Sequence, residues 1–166
     1  MSAVIDSHSD DHHHGPAKGI TRWLYTTNHK DIGTLYLWFS FLMLFLGGAM
    51  AMVIRAELFE PGSQIVSPEF YNQMLTNHGL IMVFGAVMPA FVGLANWIIP
   101  MQIGAPDMAL PRMNNLSFWI LPVAFGILIS TFFMEGGGPN FGWTFYAPLS
   151  TTCLLYTSDA ADDGVG

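Results

Sequence analysis

A lone histidine, His78, opens a long charge-free stretch, and a polar loop carrying Asp107 closes it. Between Glu69 and Asp107 there is no Asp, Glu, Lys or Arg. A neutral imidazole is a common ligand of haem iron, and Gly79 beside it leaves room for a flat macrocycle. The competing reading is a polar residue at a helix end, hydrogen-bonded to a neighbouring helix. At the far end Asn96, Asp107, Asn114 and Asn115 gather a carboxylate and three amides. A carboxylate at a membrane surface can collect protons, and amides just inside can hold a file of waters. The competing reading is an Asp that starts or caps a turn in a polar loop. Ionisable groups are costly in or near a bilayer, so both ends are functional candidates by default.

Other polar residues carry weaker signals. Arg55 suits a hydrogen bond to a haem substituent, or simply snorkels at an interface. Glu57, followed by Pro61 and Gly62, supplies oxygens of the kind a hard cation such as Ca2+ or Na+ takes, although a surface ion pair or turn accounts for it better. His8, His12, His13 and His14 have the look of a metal-binding tract but sit in a polar tail that reads as disordered.

The elements that must position these groups follow from composition. Charged residues make up 10% of the 166-residue chain and hydrophobic ones 52%, against roughly 25% charged in soluble domains. This is the composition of an integral membrane protein, and it offers no basic surface for nucleic acid. Acidic residues cluster near the two ends. One cysteine, Cys153, leaves the redox compartment open. The first thirty residues lack the apolar core of a cleavable signal peptide.

Three uncharged apolar runs, at about 32–54, 74–99 and 117–134, predict three transmembrane helices. At about 1.5 Å per residue each spans or nearly spans a hydrocarbon core of roughly 30 Å. Pro89 and Pro122 lie inside the second and third runs and predict kinks. Gly47, Gly48, Gly85 and Gly93 permit close helix approach. Lys18, Arg22, Lys30 and Arg112 place the N-terminus and the 102–116 loop in the cytoplasm, with the 55–73 loop outside. His78 then begins helix two on the outer side and Asp107 lies at the inner face.

From Arg22 to Thr152 the chain resembles the N-terminal part of subunit I of the haem-copper oxidases, of the bacterial cytochrome c oxidase type. The segments that carry the likeness are Thr27-Asn-His-Lys-Asp-Ile-Gly-Thr-Leu-Tyr36, Ile54-Arg-Ala-Glu-Leu58, His78-Gly-Leu-Ile-Met-Val-Phe84, the loop from Gly104 to Trp119, and Gly142-Trp-Thr-Phe-Tyr-Ala-Pro-Leu-Ser150. Thr27–Gly33 and Leu110-Pro-Arg-Met113 resemble the cytochrome c branch more than the quinol oxidases. The resemblance implies an all-α membrane fold, with three helices of a bundle of about twelve.

It also implies roles, position by position. His78 matches an axial ligand of low-spin haem a, and Arg55 the arginine that hydrogen-bonds its formyl group. Glu57, with Gly62 more weakly, matches an outer Ca2+ or Na+ site. Asp107 matches the mouth of a proton pathway, with Asn96, Asn114 and Asn115 lining its entrance. Subunits II and III, cytochrome c, oxygen, protons and membrane lipid are the implied partners, and the bacterial inner membrane the implied location. The ligands of the high-spin haem and copper B are not among these residues, so no oxygen-reduction site is expected within them. Domain limits follow as a polar, His-rich tail over 1–21, an oxidase segment over 22–152, and a non-native tail over 153–166, where the likeness stops. A haem-free scaffold or transporter fragment would explain the hydrophobicity and the glycines, but not Asp107 with Asn114 and Asn115 following His78.

Overall fold

The computed structural model describes residues 19–62, 65–134, 137–144 and 146–147. The histidine tract of the N-terminal tail and the segment from Cys153 to Gly166 lie outside them. The described residues form helices and turns, with no strand. A short helix α1 (Ile20–Leu24) precedes α2 (His29–Glu57). The second long rod is built from α3 (Pro68–Leu80), a π-helical segment (Ile81–Val87) and α4 (Met88–Ile103). A third rod, α5 (Pro111–Ser130), ends in a 3-10 turn over Thr131–Phe133. Three spans are long and apolar enough to cross a membrane: His29–Glu57, Pro68–Ile103 and Pro111–Phe133.

The three expected spans, at about 32–54, 74–99 and 117–134, are present, and the helices extend beyond the apolar runs at their N-terminal side, to His29, Pro68 and Pro111. Capping chemistry is the reason. Asn28 accepts from the Lys30 N–H at 3.0 Å and starts α2, while Ser67 accepts from the Phe70 N–H at 3.3 Å and starts α3 with Pro68 in its first turn. Pro111 likewise opens α5. The 55–73 stretch expected as a loop is therefore helical at both ends, and Arg55 lies inside α2. At the other end of the second rod Gly104 takes φ 69°, the left-handed cap that stops α4.

Pro89 sits just past the π-helical segment. The Met88 N–H bonds the Val83 carbonyl five residues back, and the Ser40 hydroxyl donates to the Ala86 carbonyl at 2.6 Å. A proline inside a span leaves carbonyls without their usual donors, and a wider turn with a hydroxyl from the next helix is one way to satisfy them.

Packing centres on one face of α2. Ile32, Tyr36, Phe39, Met43 and Met50 recur at helical spacing and meet Ile81, Ala86, Phe118 and Phe125. Phe39 and Phe118 meet edge-to-face, as do Tyr36 and Phe118. The closest crossing is between Gly33 and Gly93: a Cβ on Gly93 would fall 2.9 Å from the Gly33 carbonyl, and one on Gly33 2.9 Å from the Gly93 carbonyl. Backbone cannot move aside as a flexible side chain can. Gly93→Ala should therefore destabilise the bundle by about 1–3 kcal/mol. Gly48→Ala, with nothing within 4 Å of the new methyl, should be neutral or gain up to about 1 kcal/mol. Loss of helical ellipticity against denaturant in detergent compares the two; equal midpoints would contradict the close crossing.

Candidate functional site

At one end of the bundle, α3 delivers His78 onto the backbone of α2. The His78 Nδ1 lies 2.8 Å from the Gly47 carbonyl oxygen. A carbonyl only accepts, so Nδ1 carries the proton and the neutral ring keeps its lone pair on Nε2. Beside this contact Met82 packs against Gly47, its Sδ 2.6 Å from where a Cβ would stand. A ring whose one nitrogen is tied to a backbone carbonyl, and whose other carries a lone pair, is the arrangement a metal-ligating histidine adopts. The donor chemistry of His78 thus fits an iron porphyrin. Both sequence readings of this residue meet here, since the same bond is a contact between helices.

Around it, Trp143 takes the space beside Gly79, with its Cδ1 3.3 Å from where a Cβ would stand. The Gly142 N–H donates to Thr76 Oγ1 at 2.9 Å and ties that segment to α3. Thr76 and Asn77 are fully buried under it, and Asn77 Oδ1 has no partner among the described residues. Arg55 is exposed on α2, two turns beyond Gly47, with no ion pair to a described residue.

Glu57 is buried at the end of α2. Its Oε2 accepts the N–H groups of Ile65 and Val66 at 2.9 and 3.1 Å, so this carboxylate closes the loop that follows. Beside it Glu57, Glu60, Pro61 and Gly62 border an open depression of about 490 Å3. Gly62 has φ 109°, a conformation that favours glycine. Carboxylate and backbone oxygens are the donors a hard cation takes. Among the described residues no three His, Cys, Asp or Glu side chains converge on a point, so a cation here would depend on backbone carbonyls.

The opposite end is polar in a different way. Asp107 lies in the loop between α4 and α5, its side chain 42% exposed, with Oδ1 accepting the Met108 N–H at 2.8 Å. His29, almost buried at the start of α2, places Nδ1 3.1 Å from the same oxygen. Asn96 on α4 and Asn114 on α5 are joined directly, Asn114 Nδ2 donating to Asn96 Oδ1 at 2.7 Å. Further along α5, Ser117 Oγ donates to the Asn114 carbonyl at 2.6 Å and lies 2.8 Å from the Tyr36 hydroxyl. Tyr36 is two turns further into α2 than His29, roughly 10 Å along the axis. Hydroxyls and amides in this order can hand a proton or hold water across the seam of three helices.

Asn115 takes a separate part. Its Nδ2 donates to the carbonyls of Leu24 and Thr26, both at 2.9 Å, which fastens the segment before α2 onto α5. Arg22 reinforces that segment with a bidentate pair to Asp31 at 3.0–3.2 Å. The structure thus brings Asn96 and Asn114 together and sets Asn115 against a loop. His29, Tyr36 and Ser117 did not stand out from spacing alone. His29 is 78 residues from Asp107, and Tyr36 is 81 from Ser117. Only His29 flanks an apolar run, where polar residues cluster; Tyr36 and Ser117 lie within the runs at 32–54 and 117–134 and carry no such signal.

Comparison with known proteins agrees with this architecture. The family described as Cytochrome C and Quinol oxidase polypeptide I matches residues 31–162. The chain is 48% identical over 135 residues to cytochrome c oxidase subunit 1 of Corynebacterium efficiens and, over the same length, to that of Corynebacterium glutamicum, covering 80% of this chain in each case. It is 46% identical over 138 residues to heme-copper oxidase subunit I+III of Aeropyrum pernix, covering 83% of this chain. It spans 23% of the length of the Corynebacterium proteins and 17% of the Aeropyrum one. With three apolar spans and a match over most of its length, the chain belongs to the membrane-integral cytochrome c and quinol oxidase polypeptide I family.

Proposed function

We propose that this chain supplies the first helices of the catalytic subunit of a bacterial, proton-pumping cytochrome c oxidase. In that enzyme electrons pass from cytochrome c to oxygen, water forms, and protons move outward across the inner membrane. The observation that carries the reading is the separation of two chemistries along one bundle: an imidazole with a fixed tautomer at one end, and an Asp–His pair with an amide and hydroxyl route at the other. Residues 22–152 would form the oxidase segment, residues 1–21 a polar tail and residues 153–166 a non-native tail.

His78 would hold low-spin haem a through Nε2, and Arg55 would donate to its formyl oxygen. When bound, that haem supplies one-electron transfer. Asp107 would take protons from the cytoplasm, with His29 sharing its Oδ1. Asn96, Asn114, Ser117 and Tyr36 would orient the water that carries protons inward, while Asn115 keeps the N-terminal segment closed over the mouth. Glu57 and Gly62 would border an outer Ca2+ or Na+ site. The high-spin haem and copper B would be held by other parts of the parent, which works with subunits II and III. Relatives named as cytochrome c oxidases favour that donor over a quinol.

Sidedness tests the reading. With Cys153 replaced by Ser, a cysteine in place of Met108 should react with an impermeant maleimide only from the cytoplasmic side of oriented vesicles. One in place of Glu60 should react only from the outside. Labelling of both from the same compartment would defeat the proposal.

A further inference from the structure

One exposed side of α2 carries a second feature. Lys30, Thr34, Trp38, Phe41 and Phe45 recur every three or four residues and so lie on one face of the helix. Trp38, Phe41 and Phe45 stack edge-to-face along it, with centroids 6.0 and 4.8 Å apart, and all three are at least half exposed. Thr34, Leu37, Trp38 and Phe41 line a groove of about 310 Å3. At the groove's head the Lys30 ammonium lies 5.8 Å over the ring of Trp97, and the Trp97 Nε1–H donates to Thr34 Oγ1 at 3.3 Å.

Charge says what the groove takes. Lys30 is exposed and forms no ion pair with a described residue, because its neighbour Asp31 is engaged by Arg22. An indole and an ammonium with no ion pair among the described residues stand where α2 begins, the end of a span at which lipid headgroups are met. From Lys30 to Phe41 is about 16 Å of helix, close to half of a hydrocarbon core of roughly 30 Å. We propose that this face is a binding site for one anionic phospholipid. Its headgroup phosphate sits on Lys30 beside Trp97, and an acyl chain lies along Leu37, Trp38 and Phe41 to the end of one leaflet.

The site needs membrane insertion and nothing of haem binding at His78, so the two can fail separately. The test uses the full chain in phosphatidylcholine vesicles containing, at equal mole fraction, either brominated phosphatidylglycerol or brominated phosphatidylcholine. The Trp38 component of the fluorescence is taken as the difference from Trp38→Phe. Brominated phosphatidylglycerol should quench it about fivefold more effectively, the preference one lysine confers beside an anionic surface. Lys30→Gln should bring the two lipids to parity and Lys30→Arg should keep the preference. Added salt should weaken it. Equal quenching of the unmodified chain, or a preference that survives Lys30→Gln, overturns the proposal. Absence of quenching by both lipids also overturns it, since protein would then cover the face.

Discussion

Asp107→Asn in the intact oxidase should abolish proton ejection and slow turnover by about two orders of magnitude, the lower end of what a positioned proton donor contributes. The substitution is chosen to be silent for the fold. An amide oxygen in place of Oδ1 can still accept the Met108 N–H and a proton from the buried His29 Nδ1, and the loop stays polar and exposed. What disappears is the capacity to bind and release a proton, together with the negative charge that His29 meets at 3.1 Å. The absorption spectrum of the haems should be unchanged, because Asp107 and His78 lie at opposite ends of the second rod. Normal proton ejection from reconstituted vesicles would show that this loop feeds no pathway. A variant that loses haem as well would show that Asp107 holds the fold. Asn114→Ala gives the companion measurement: it removes the direct amide contact to Asn96 while leaving the mouth intact, so it should slow proton uptake without affecting assembly.

How far the sequence could be read depends on which interaction fixes each feature. The three spans were legible because hydropathy is a property of composition, summed over twenty or more residues. His78 and Asp107 were legible because they interrupt or bound a stretch with no other charge. Their partners were not. The carbonyl that fixes His78 belongs to Gly47, a backbone group 31 residues away that no side-chain pattern marks. The His29–Asp107 pair closes over most of the length of the segment, and only the packing of α2 against α4 brings its members together. The starts of α2 and α3 were written locally, in Asn28 and in Ser67-Pro68, but hydropathy gives polar caps no weight. Asn114 and Asn115 show the limit most clearly. Two identical side chains, adjacent in sequence and about 100° apart around α5, serve different neighbours. Composition and spacing predict the pair; only the position of the N-terminal segment decides which of them faces Asn96.

The second large effect is expected at the other end of the bundle. His78→Ala in the intact oxidase should eliminate the absorption of low-spin haem a while that of the high-spin haem persists. A methyl group offers no lone pair, so the ligation that His78 would supply to the haem is lost. The cavity created is small and half-exposed, so the helices should remain assembled; the Gly47 carbonyl, inside α2, loses one of its donors, which costs about 0.5–1.5 kcal/mol. Ligation and packing are separated by adding free imidazole. If His78 contributes a nitrogen lone pair, imidazole should restore the low-spin band in the variant, since the space vacated by the ring accepts the same ring untethered. If His78 merely joins two helices, imidazole should change nothing and the band should have survived the substitution. His78→Asn supplies the remaining arm: its amide N–H stands where the Nδ1–H stood and can still reach the Gly47 carbonyl, so the interhelical contact is kept while the imidazole Nε2 is removed. A normal low-spin spectrum in that variant would remove His78 from the haem and leave it as the bond between helices that its geometry also describes.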